Sequence, residues 1–312
     1  MRQKVLLIDP VHPLITSELT QAGYQCDQFP GYTRKELEAI AGEYQGIIIR
    51  SGIRLDKRFL EHAARLEFIA RVGSGMENVD VDFAVSRGIR CLNSPEGNRD
   101  AVGEHATGML LALLNHFIRA DREIRQGEWK REENRGTEIR GKTVGIIGYG
   151  NMGSAFAQRL AGFDADVISY DKYKTDYSDG NTRETTMEEL FETCDIVSLH
   201  VPLTEETHYL ANEKFFARFT KPFHLVNTAR GKVVKTSALV DALRSGKVLG
   251  AALDVLEYEE TSFGQIAGKG SLELDYLMTC DQVILTPHVA GWTRESNVRL
   301  AEILAEKILK IK

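Results

Sequence analysis

The stretch VGIIGYGNMGSAFAQRL occupies residues 144–160 and decides the fold of this chain. Its first four residues predict a buried strand, its spaced glycines predict a tight turn, and the residues from Ser154 onward favour a helix. In such a strand–turn–helix unit, Gly148 permits the turn, Gly150 lets the backbone approach a pyrophosphate, and Gly153 permits close helix packing. The helix N-terminus also offers unpaired N–H groups to the anion. The stretch therefore predicts a dinucleotide-binding unit.

Asp171 indicates which dinucleotide would bind. It ends the next apolar run, VISY at residues 167–170, and lies 18 residues beyond Gly153. A carboxylate at this place accepts hydrogen bonds from the ribose hydroxyls and repels a 2′-phosphate. NAD rather than NADP is therefore the expected cofactor, and the nearby cations of Lys172 and Lys174 would weaken that discrimination.

Short apolar runs on both sides of this unit alternate with segments of helical character. They lie at residues 5–8, 47–49, 68–70 and 89–92, and then at 144–147, 167–168, 196–199, 225–226, 251–253 and 283–285. Strands that alternate with helices favour a parallel sheet. The two series predict an α/β protein with two parallel-sheet domains, Rossmann-like or flavodoxin-like, and a cleft between them.

Two helical segments predict how the domains are connected. Apolar residues recur at helical spacing over 101–117, between the two series, and a last helix is expected over 295–311 and to return to the first domain. The expected organisation is a discontinuous substrate domain, 1–95 and 289–312, and an NAD-binding domain, 96–288. The apolar positions of the 101–117 helix exceed one narrow stripe, which predicts a homodimer through this helix; burial within one chain is the alternative.

Composition excludes several classes of partner. The net charge is −6, and the basic residues are scattered, so nucleic acid is not an expected partner. The N-terminal apolar run at residues 5–8 is too short for a signal-peptide core and no later run could span a bilayer, so we expect a cytoplasmic protein without a membrane partner. The four cysteines lack the paired spacing of zinc or redox sites, so no metal site is predicted.

Three polar residues follow predicted strands, where open α/β sheets bind ligands: Arg230, Glu259 and His288. A guanidinium holds a carboxylate through two parallel hydrogen bonds and polarises an adjacent keto oxygen, a role that suits Arg230. Reduction of a keto group also needs a proton, for which His288 is the candidate acid. Glu259 would orient the imidazole and favour its protonated form.

Six segments together resemble one family of enzymes. They are RVGSGMENVD at 71–80, GYGNMG at 148–153, HVPLT at 200–204, NTARG at 227–231, AALDV at 251–255 and TPH at 286–288. In this order they resemble the D-2-hydroxyacid dehydrogenases, and most closely the D-3-phosphoglycerate dehydrogenase branch. The resemblance implies an NAD-dependent oxidoreductase that moves a hydride between NAD(H) and a small 2-hydroxy or 2-keto acid.

The resemblance also assigns roles to single residues. It makes Arg230, Glu259 and His288 the catalytic trio, with Glu257 and Glu260 as weaker candidates for the carboxylate. Around the cofactor it puts Ser74, Gly148, Gly150, Asn151, Met152, Gly153, Asp171, Val201, Pro202, Thr228, Ala229, Asp254 and Gly291. Toward the substrate it puts Arg50, Ser74, Gly75, Arg230 and His288.

The chain departs from the pattern of the branch in three places. Glu260 stands where a proline usually follows the catalytic glutamate, and the course of the loop at 261–281 is not predicted. Trp292 replaces a small residue and would narrow the pocket or form its wall. The sequence ends at Lys312 without the regulatory domain of longer relatives, so serine feedback by that route is not expected.

Several functions stay open at this point. The substrate is 3-phosphoglycerate or, alternatively, glyoxylate, hydroxypyruvate or a related keto acid. A non-enzymatic, NAD-sensing binding protein similar to the C-terminal-binding corepressors is the alternative from another class. Formate dehydrogenases pair their histidine with glutamine, so Glu259 argues against that activity. The physiological direction and the oligomeric number are not predicted.

Overall fold

The computed structural model describes residues 3–29, 31–259 and 270–311. They divide into two compact units. One unit comprises the described residues up to Asn98 and those from Trp292 onward; the other runs from Arg99 to Glu259 and from residue 270 to Gly291. The sequence predicts divisions after residues 95 and 288, and the functional roles of the two domains stay predictions.

The first unit contains a five-stranded parallel sheet in the order β2-β1-β3-β4-β5. Its strands are β1 (Lys4–Leu7), β2 (Gln25–Gln28), β3 (Gly46–Ile49), β4 (Phe68–Arg71) and β5 (Arg90–Asn93). Its helices before the second unit are α1 (Pro13–Gln21), α2 (Arg34–Ile40), α3 (Lys57–His62) and α4 (Val81–Ser86). The central strand β3 is buried along its whole length, as expected for a sheet covered on both faces.

The second unit contains a seven-stranded parallel sheet in the order β12-β11-β10-β9-β6-β7-β8. Its strands are β6 (Thr143–Ile147), β7 (Asp166–Tyr170), β8 (Arg183–Glu184), β9 (Ile196–Leu199), β10 (Phe223–Asn227), β11 (Val248–Leu253) and β12 (Val283–Leu285). Its helices are α5 (Arg99–Leu114), α6 (Phe117–Arg125), α7 (Asn151–Leu160), α8 (Met187–Thr193), α9 (Glu213–Arg218), α10 (Thr236–Arg244) and α11 (Leu272–Thr279). Strand order reverses between β6 and β9, and open α/β sheets bind ligands at such a point. Both sheets confirm the predicted fold class.

The single helix predicted over 101–117 is wrong. The structure has α5 ending at Leu114 and α6 beginning at Phe117, because His116 between them adopts a left-handed backbone with φ 54°. The apolar side of α5 packs on α7, where a Cβ at Gly103 would lie 2.8 Å from the carbonyl oxygen of Ala155. The apolar residues of α5 are thus largely buried within their own unit.

The last helix, α12 (Arg294–Leu309), belongs to the first unit, as the sequence predicts. A capping box at Thr293 and Ser296 begins it. Leu300, Leu304 and Ile308 are buried against the same cluster as α1. No helix among the described residues is long and apolar enough to cross a membrane.

Candidate active site

The glycine turn after β6 has the geometry of an anion cradle. Gly148 adopts φ +94°, and a Cβ there would lie 2.6 Å from the carbonyl oxygen of His200. A Cβ at Gly153 would lie 2.1 Å from the carbonyl oxygen of Gly148, so both positions require glycine. By contrast, no atom of the described residues lies within 4 Å of the Cβ position of Gly150, and none of their side chains caps the start of α7. The open N-terminus of α7 therefore fits a pyrophosphate.

Asp171 is held at the end of β7 beside this turn. Its Oδ2 accepts a hydrogen bond of 2.9 Å from the Tyr149 N–H, and its Oδ1 accepts one of 3.0 Å from the Tyr173 N–H. Each carboxylate oxygen keeps a lone pair for a ribose hydroxyl. Lys172 pairs with Glu206, and Lys174 Nζ donates to the Tyr149 carbonyl at 2.6 Å. Because both lysines already have oxygen partners, they are less able to attract a 2′-phosphate.

The other predicted cofactor residues of this unit follow three neighbouring strands. Val201 and Pro202 follow β9, Thr228 and Ala229 follow β10, and Asp254 follows β11. The buried Thr228 Oγ1 has no hydrogen-bond partner among the described residues. Buried polar atoms are normally hydrogen-bonded, so this hydroxyl fits a site that takes a polar ligand. The residues present therefore fit a dinucleotide.

The loop that carries Arg230 is organised by the last residue of β10. The Asn227 side-chain oxygen accepts from the Ala229 N–H at 3.0 Å, and its Nδ2 donates to the Arg230 carbonyl at 3.1 Å. Arg230 Nη1 donates to the Ala229 carbonyl at 2.7 Å. A Cβ at Gly231 would lie 1.9 Å from the Leu256 carbonyl oxygen. Only glycine therefore lets this loop pack against the segment that leads to Glu259.

Asp254 anchors the loop that carries His288. Its buried carboxylate accepts from the Thr286 hydroxyl at 2.6 Å and from the backbone N–H groups of Val289 and Ala290, both at 2.9 Å. Burial acts to raise the pKa of Asp254, but hydrogen bonds from His105, from Thr286 and from these backbone groups lower it below its ordinary value. The Asp254 carbonyl accepts from the His288 N–H at 2.7 Å. Asp254 is therefore a charged acceptor at the centre of this loop.

His288 and Glu259 form a carboxylate–imidazole pair. His288 Nδ1 lies 2.7 Å from Glu259 Oε2, and the two side chains are 24% and 21% exposed. The backbone of His288 has φ +55°, a conformation that costs about 1–3 kcal/mol in a residue other than glycine and that clusters at functional sites. Glu259 Oε1 accepts from the Leu256 N–H. The contact with Glu259 therefore orients the imidazole through Nδ1.

Two of the three acidic candidates for this pair, Glu257 and Glu259, lie among the described residues, and their side chains have different partners. Glu257 accepts from the Tyr209 hydroxyl and, at 2.9 Å, from the Thr236 N–H. Glu260 lies outside the described residues, as do residues 261–269 of the loop whose course was not predicted. Of the described carboxylates at 257 and 259, it is therefore Glu259 that contacts His288.

The first unit carries the predicted substrate residues Arg50 and Gly75 and the predicted substrate and cofactor residue Ser74. Arg50 follows β3, and its N–H donates to Asp9 Oδ2 at 2.6 Å. Ser74 Oγ donates to Asn98 Oδ1 at 2.8 Å, and the Ser74 carbonyl accepts from Asn93 Nδ2 at 2.5 Å. Gly75 follows it as a partly exposed residue, and partly exposed Gly291 ends the second unit. No group of three or more potential metal ligands occurs among the described residues.

Sequence reasoning missed the residues that hold the site together. His105 Nε2 lies 3.1 Å from the Thr286 hydroxyl and 3.5 Å from Asp254 Oδ1. A histidine on an apolar helix such as α5 has no sequence signal that separates it from an ordinary core residue. The role of Asn227 also has no sequence signal, because its side chain bonds the backbone of a turn that the sequence does not reveal.

Comparisons with known proteins agree with this geometry. Residues 107–290 match the family model described as D-isomer specific 2-hydroxyacid dehydrogenase, NAD binding domain. The chain is 33% identical to the D-3-phosphoglycerate dehydrogenase of Archaeoglobus fulgidus over 310 residues, which cover 99% of this chain but 57% of that protein. It is 36% identical to the hydroxypyruvate reductase of Thermotoga maritima over 277 residues, 89% of this chain and 88% of that protein.

A solved structure extends the likeness to the fold. The D-lactate dehydrogenase of Aquifex aeolicus, complexed with NAD and lactic acid, superposes with a TM-score of 0.83 at 28% identity. The superposition covers 98% of this chain and 94% of that one.

Proposed function

This chain belongs to the D-isomer-specific 2-hydroxyacid dehydrogenase family, and we propose that it transfers a hydride between NAD(H) and a small 2-hydroxy or 2-keto acid. The observation that carries the proposal is the 2.7 Å contact between His288 Nδ1 and Glu259 Oε2, in the unit that also contains Arg230. Binding of NAD alone does not need a carboxylate-oriented imidazole. Such an imidazole is suited to donating a proton to a keto oxygen.

In the proposed reduction, each member of the trio has one task. Arg230 holds the substrate carboxylate and polarises the keto oxygen. His288 donates the proton from Nε2 to that oxygen as the alkoxide develops. Glu259 orients the ring through Nδ1 and stabilises the imidazolium before the proton leaves. NADH, when bound, would supply the hydride to the keto carbon, while the keto oxygen takes the proton from His288.

The cofactor is proposed to lie along the carboxyl ends of β6, β7 and β9–β11. The α7 N-terminus would hold the pyrophosphate, Asp171 the ribose hydroxyls, and the loops after β9, β10 and β11 the remaining parts. The arrangement favours NAD, since Asp171 is oriented by two backbone N–H groups. Asp254 has a second role in this proposal, because it holds the loop of His288 in the geometry that proton transfer needs.

The substrate is 3-phosphoglycerate or, alternatively, glyoxylate, hydroxypyruvate or a related keto acid. The relatives described above act on phosphoglycerate or hydroxypyruvate by name, so both chemistries are candidates for this chain. A panel of keto acids that includes phosphohydroxypyruvate, hydroxypyruvate and glyoxylate, followed by NADH absorbance, tests the proposal. Turnover of at least one substrate is expected. Tight NADH binding without turnover of any of them would instead indicate a non-enzymatic NAD-sensing protein.

We also propose a homodimer that uses the segment near residues 101–117. Apolar side chains at its end and just beyond it are exposed in the single chain: Phe117 is 58% exposed, Ile118 60% and Ile124 52%. Exposed apolar side chains this close together are typical of an interface. Light scattering should give twice the chain mass for the wild type and a lower mass for Phe117→Ser/Ile118→Ser. A wild-type monomer would contradict the dimer. A cytoplasmic location and the absence of a nucleic-acid partner stay predictions.

A further inference from the structure

Tyr149 lies between the first two glycines of the turn after β6, and its side chain is buried. It is 4% exposed and belongs to the apolar cluster that includes residues of β6 and α7. Its ring stacks on that of Tyr177, with the ring centroids 5.3 Å apart and an angle of 26° between the planes. A phenylalanine would fill the same space, so packing in this cluster does not explain the hydroxyl.

The Tyr149 hydroxyl donates a hydrogen bond of 2.8 Å to Asp179 Oδ2. Burial raises the pKa of Tyr149, and the bond to Asp179 raises it further, so the hydroxyl stays protonated and remains a donor. The other carboxylate oxygen of Asp179 accepts from the N–H groups of Asn181 and Thr182 at 2.7 and 3.1 Å. The buried Thr182 hydroxyl in turn donates to the Val167 carbonyl of β7 at 3.1 Å. Asp179 is therefore an acceptor that its own turn holds in place.

The backbone of Tyr149 bonds the beginning of the same loop. Residues 171–182 connect β7 to β8, and Asp171 is the first of them. The Tyr149 N–H donates to Asp171 Oδ2 at 2.9 Å, and the Tyr149 carbonyl accepts from Lys174 Nζ at 2.6 Å. Tyr149 thus contacts this loop at its beginning through the main chain and near its end through the hydroxyl. Any shift of Tyr149 would move the N–H group that orients Asp171.

We propose that Tyr149 is a positioning residue, whose hydroxyl bond to Asp179 holds the Asp171 carboxylate where it binds the ribose hydroxyls of NAD. The inference rests on the proposed function, which assigns the ribose to Asp171. A hydrogen bond to an ionised acceptor is stronger than one between neutral groups, so Asp179 restrains the phenol ring. Without the hydroxyl, the glycine turn and the loop would adopt more relative positions. NADH affinity would fall with the fraction of molecules in the position that binds.

The test measures the dissociation constant for NADH by the fluorescence of the bound nicotinamide. Tyr149→Phe keeps the ring and its stack on Tyr177 but removes the hydroxyl. It should raise the dissociation constant by about 2- to 10-fold, the range expected for one hydrogen bond. Asp179→Ala removes the acceptor at an exposed position and should raise the constant by a similar factor. An unchanged constant in either variant would overturn the proposal.

Combination with Asp171→Ala separates positioning of the carboxylate from general support of the turn. If the hydroxyl acts through Asp171, adding Tyr149→Phe to Asp171→Ala should change the dissociation constant for NADH by less than about 2-fold, because no carboxylate is left to position. If Tyr149→Phe raises the constant by the same factor with and without the Asp171 carboxylate, Tyr149 acts independently of Asp171 and the proposal is overturned.

Tyr44 of the first unit offers a matched control. It is 3% exposed, and its hydroxyl donates to Asp27 Oδ2 at 3.1 Å, so Tyr44→Phe removes the same kind of bond from another part of the chain. The dissociation constant for NADH should not change in Tyr44→Phe, and an increase equal to that of Tyr149→Phe would overturn the proposal. A wild type that binds no NADH would contradict the proposed function, and the inference with it. Binding by the wild type without a loss in Tyr149→Phe would contradict the inference alone.

Discussion

Glu257 and Glu259 are two residues apart, yet their side chains bond different partners. Glu259 contacts His288, whereas Glu257 contacts the Tyr209 hydroxyl and the Thr236 N–H. The sequence predicts that an acid near this position pairs with His288, but spacing alone does not separate three candidates within four residues. Side-chain direction depends on the turn that follows β11, and that turn depends on contacts from distant parts of the chain.

Asp171 gives a prediction about the choice of cofactor. Asp171→Ala removes both the ribose hydrogen bonds and the repulsion toward a 2′-phosphate, so the ratio of kcat/KM for NADPH to that for NADH should rise at least tenfold. Asp166→Ala, which removes an exposed carboxylate from the opposite end of β7, is the matched control. An unchanged ratio in Asp171→Ala would show that another residue selects the cofactor.

The strands show which elements a sequence can reveal. The apolar runs that become β1, β3, β4, β6, β7 and β9–β11 are visible because these strands are mostly buried. The edge strands β5 and β12 are only partly buried, but they too carry apolar residues that the sequence shows. The edge strands β2 and β8 were missed because they carry mostly polar residues, QCDQ and RE. The break between α5 and α6 was missed because His116 gives no sign of a left-handed conformation. Edges and breaks are set by tertiary contacts rather than by local pattern.

The variant Gly231→Ala tests how closely the Arg230 loop packs against the segment that carries Glu259. A Cβ there would lie 1.9 Å from the Leu256 carbonyl, so Gly231→Ala must push the Arg230 loop away from the segment that carries Glu259. Overpacking of this kind costs about 1–3 kcal/mol. The melting temperature and kcat should both fall, as measured by calorimetry and NADH absorbance. Gly162→Ala, where nothing lies within 4 Å, should change neither; equal effects in the two variants would refute the packing argument.

The whole molecule carries two partly buried histidines whose lowered pKa values make its stability depend on pH. Burial lowers the pKa of His200 to about 3 and that of His224 to about 4, from an ordinary value of 6.5. Because the folded-state values are the lower ones, the unfolded chain binds more protons as the pH falls below 6.5. The stabilisation is therefore complete above pH 6.5 and is lost progressively below it.

This linkage predicts the effect of acid on unfolding. At pH 5 the lowered pKa of each of these two histidines should reduce the free energy of unfolding by about 2 kcal/mol relative to neutral pH. The urea concentration at the midpoint of unfolding should therefore be lower at pH 5 than at pH 7.5. This difference should be smaller in His200→Asn than in the wild type. His62→Asn, at an exposed position, serves as the control. A midpoint with the same pH dependence in wild type and His200→Asn would show that His200 does not contribute.

A double-mutant cycle of Glu259 and His288 shows whether the carboxylate acts through the imidazole in proton transfer. General acid catalysis is typically worth about 10²- to 10⁴-fold, so His288→Ala should lower kcat for keto-acid reduction by that order while NADH binding survives. Glu259→Gln should lower kcat by a smaller factor, and the double variant should be no slower than His288→Ala alone, because the carboxylate has no imidazole left to orient. If the two losses multiply in the double variant, Glu259 acts independently of His288.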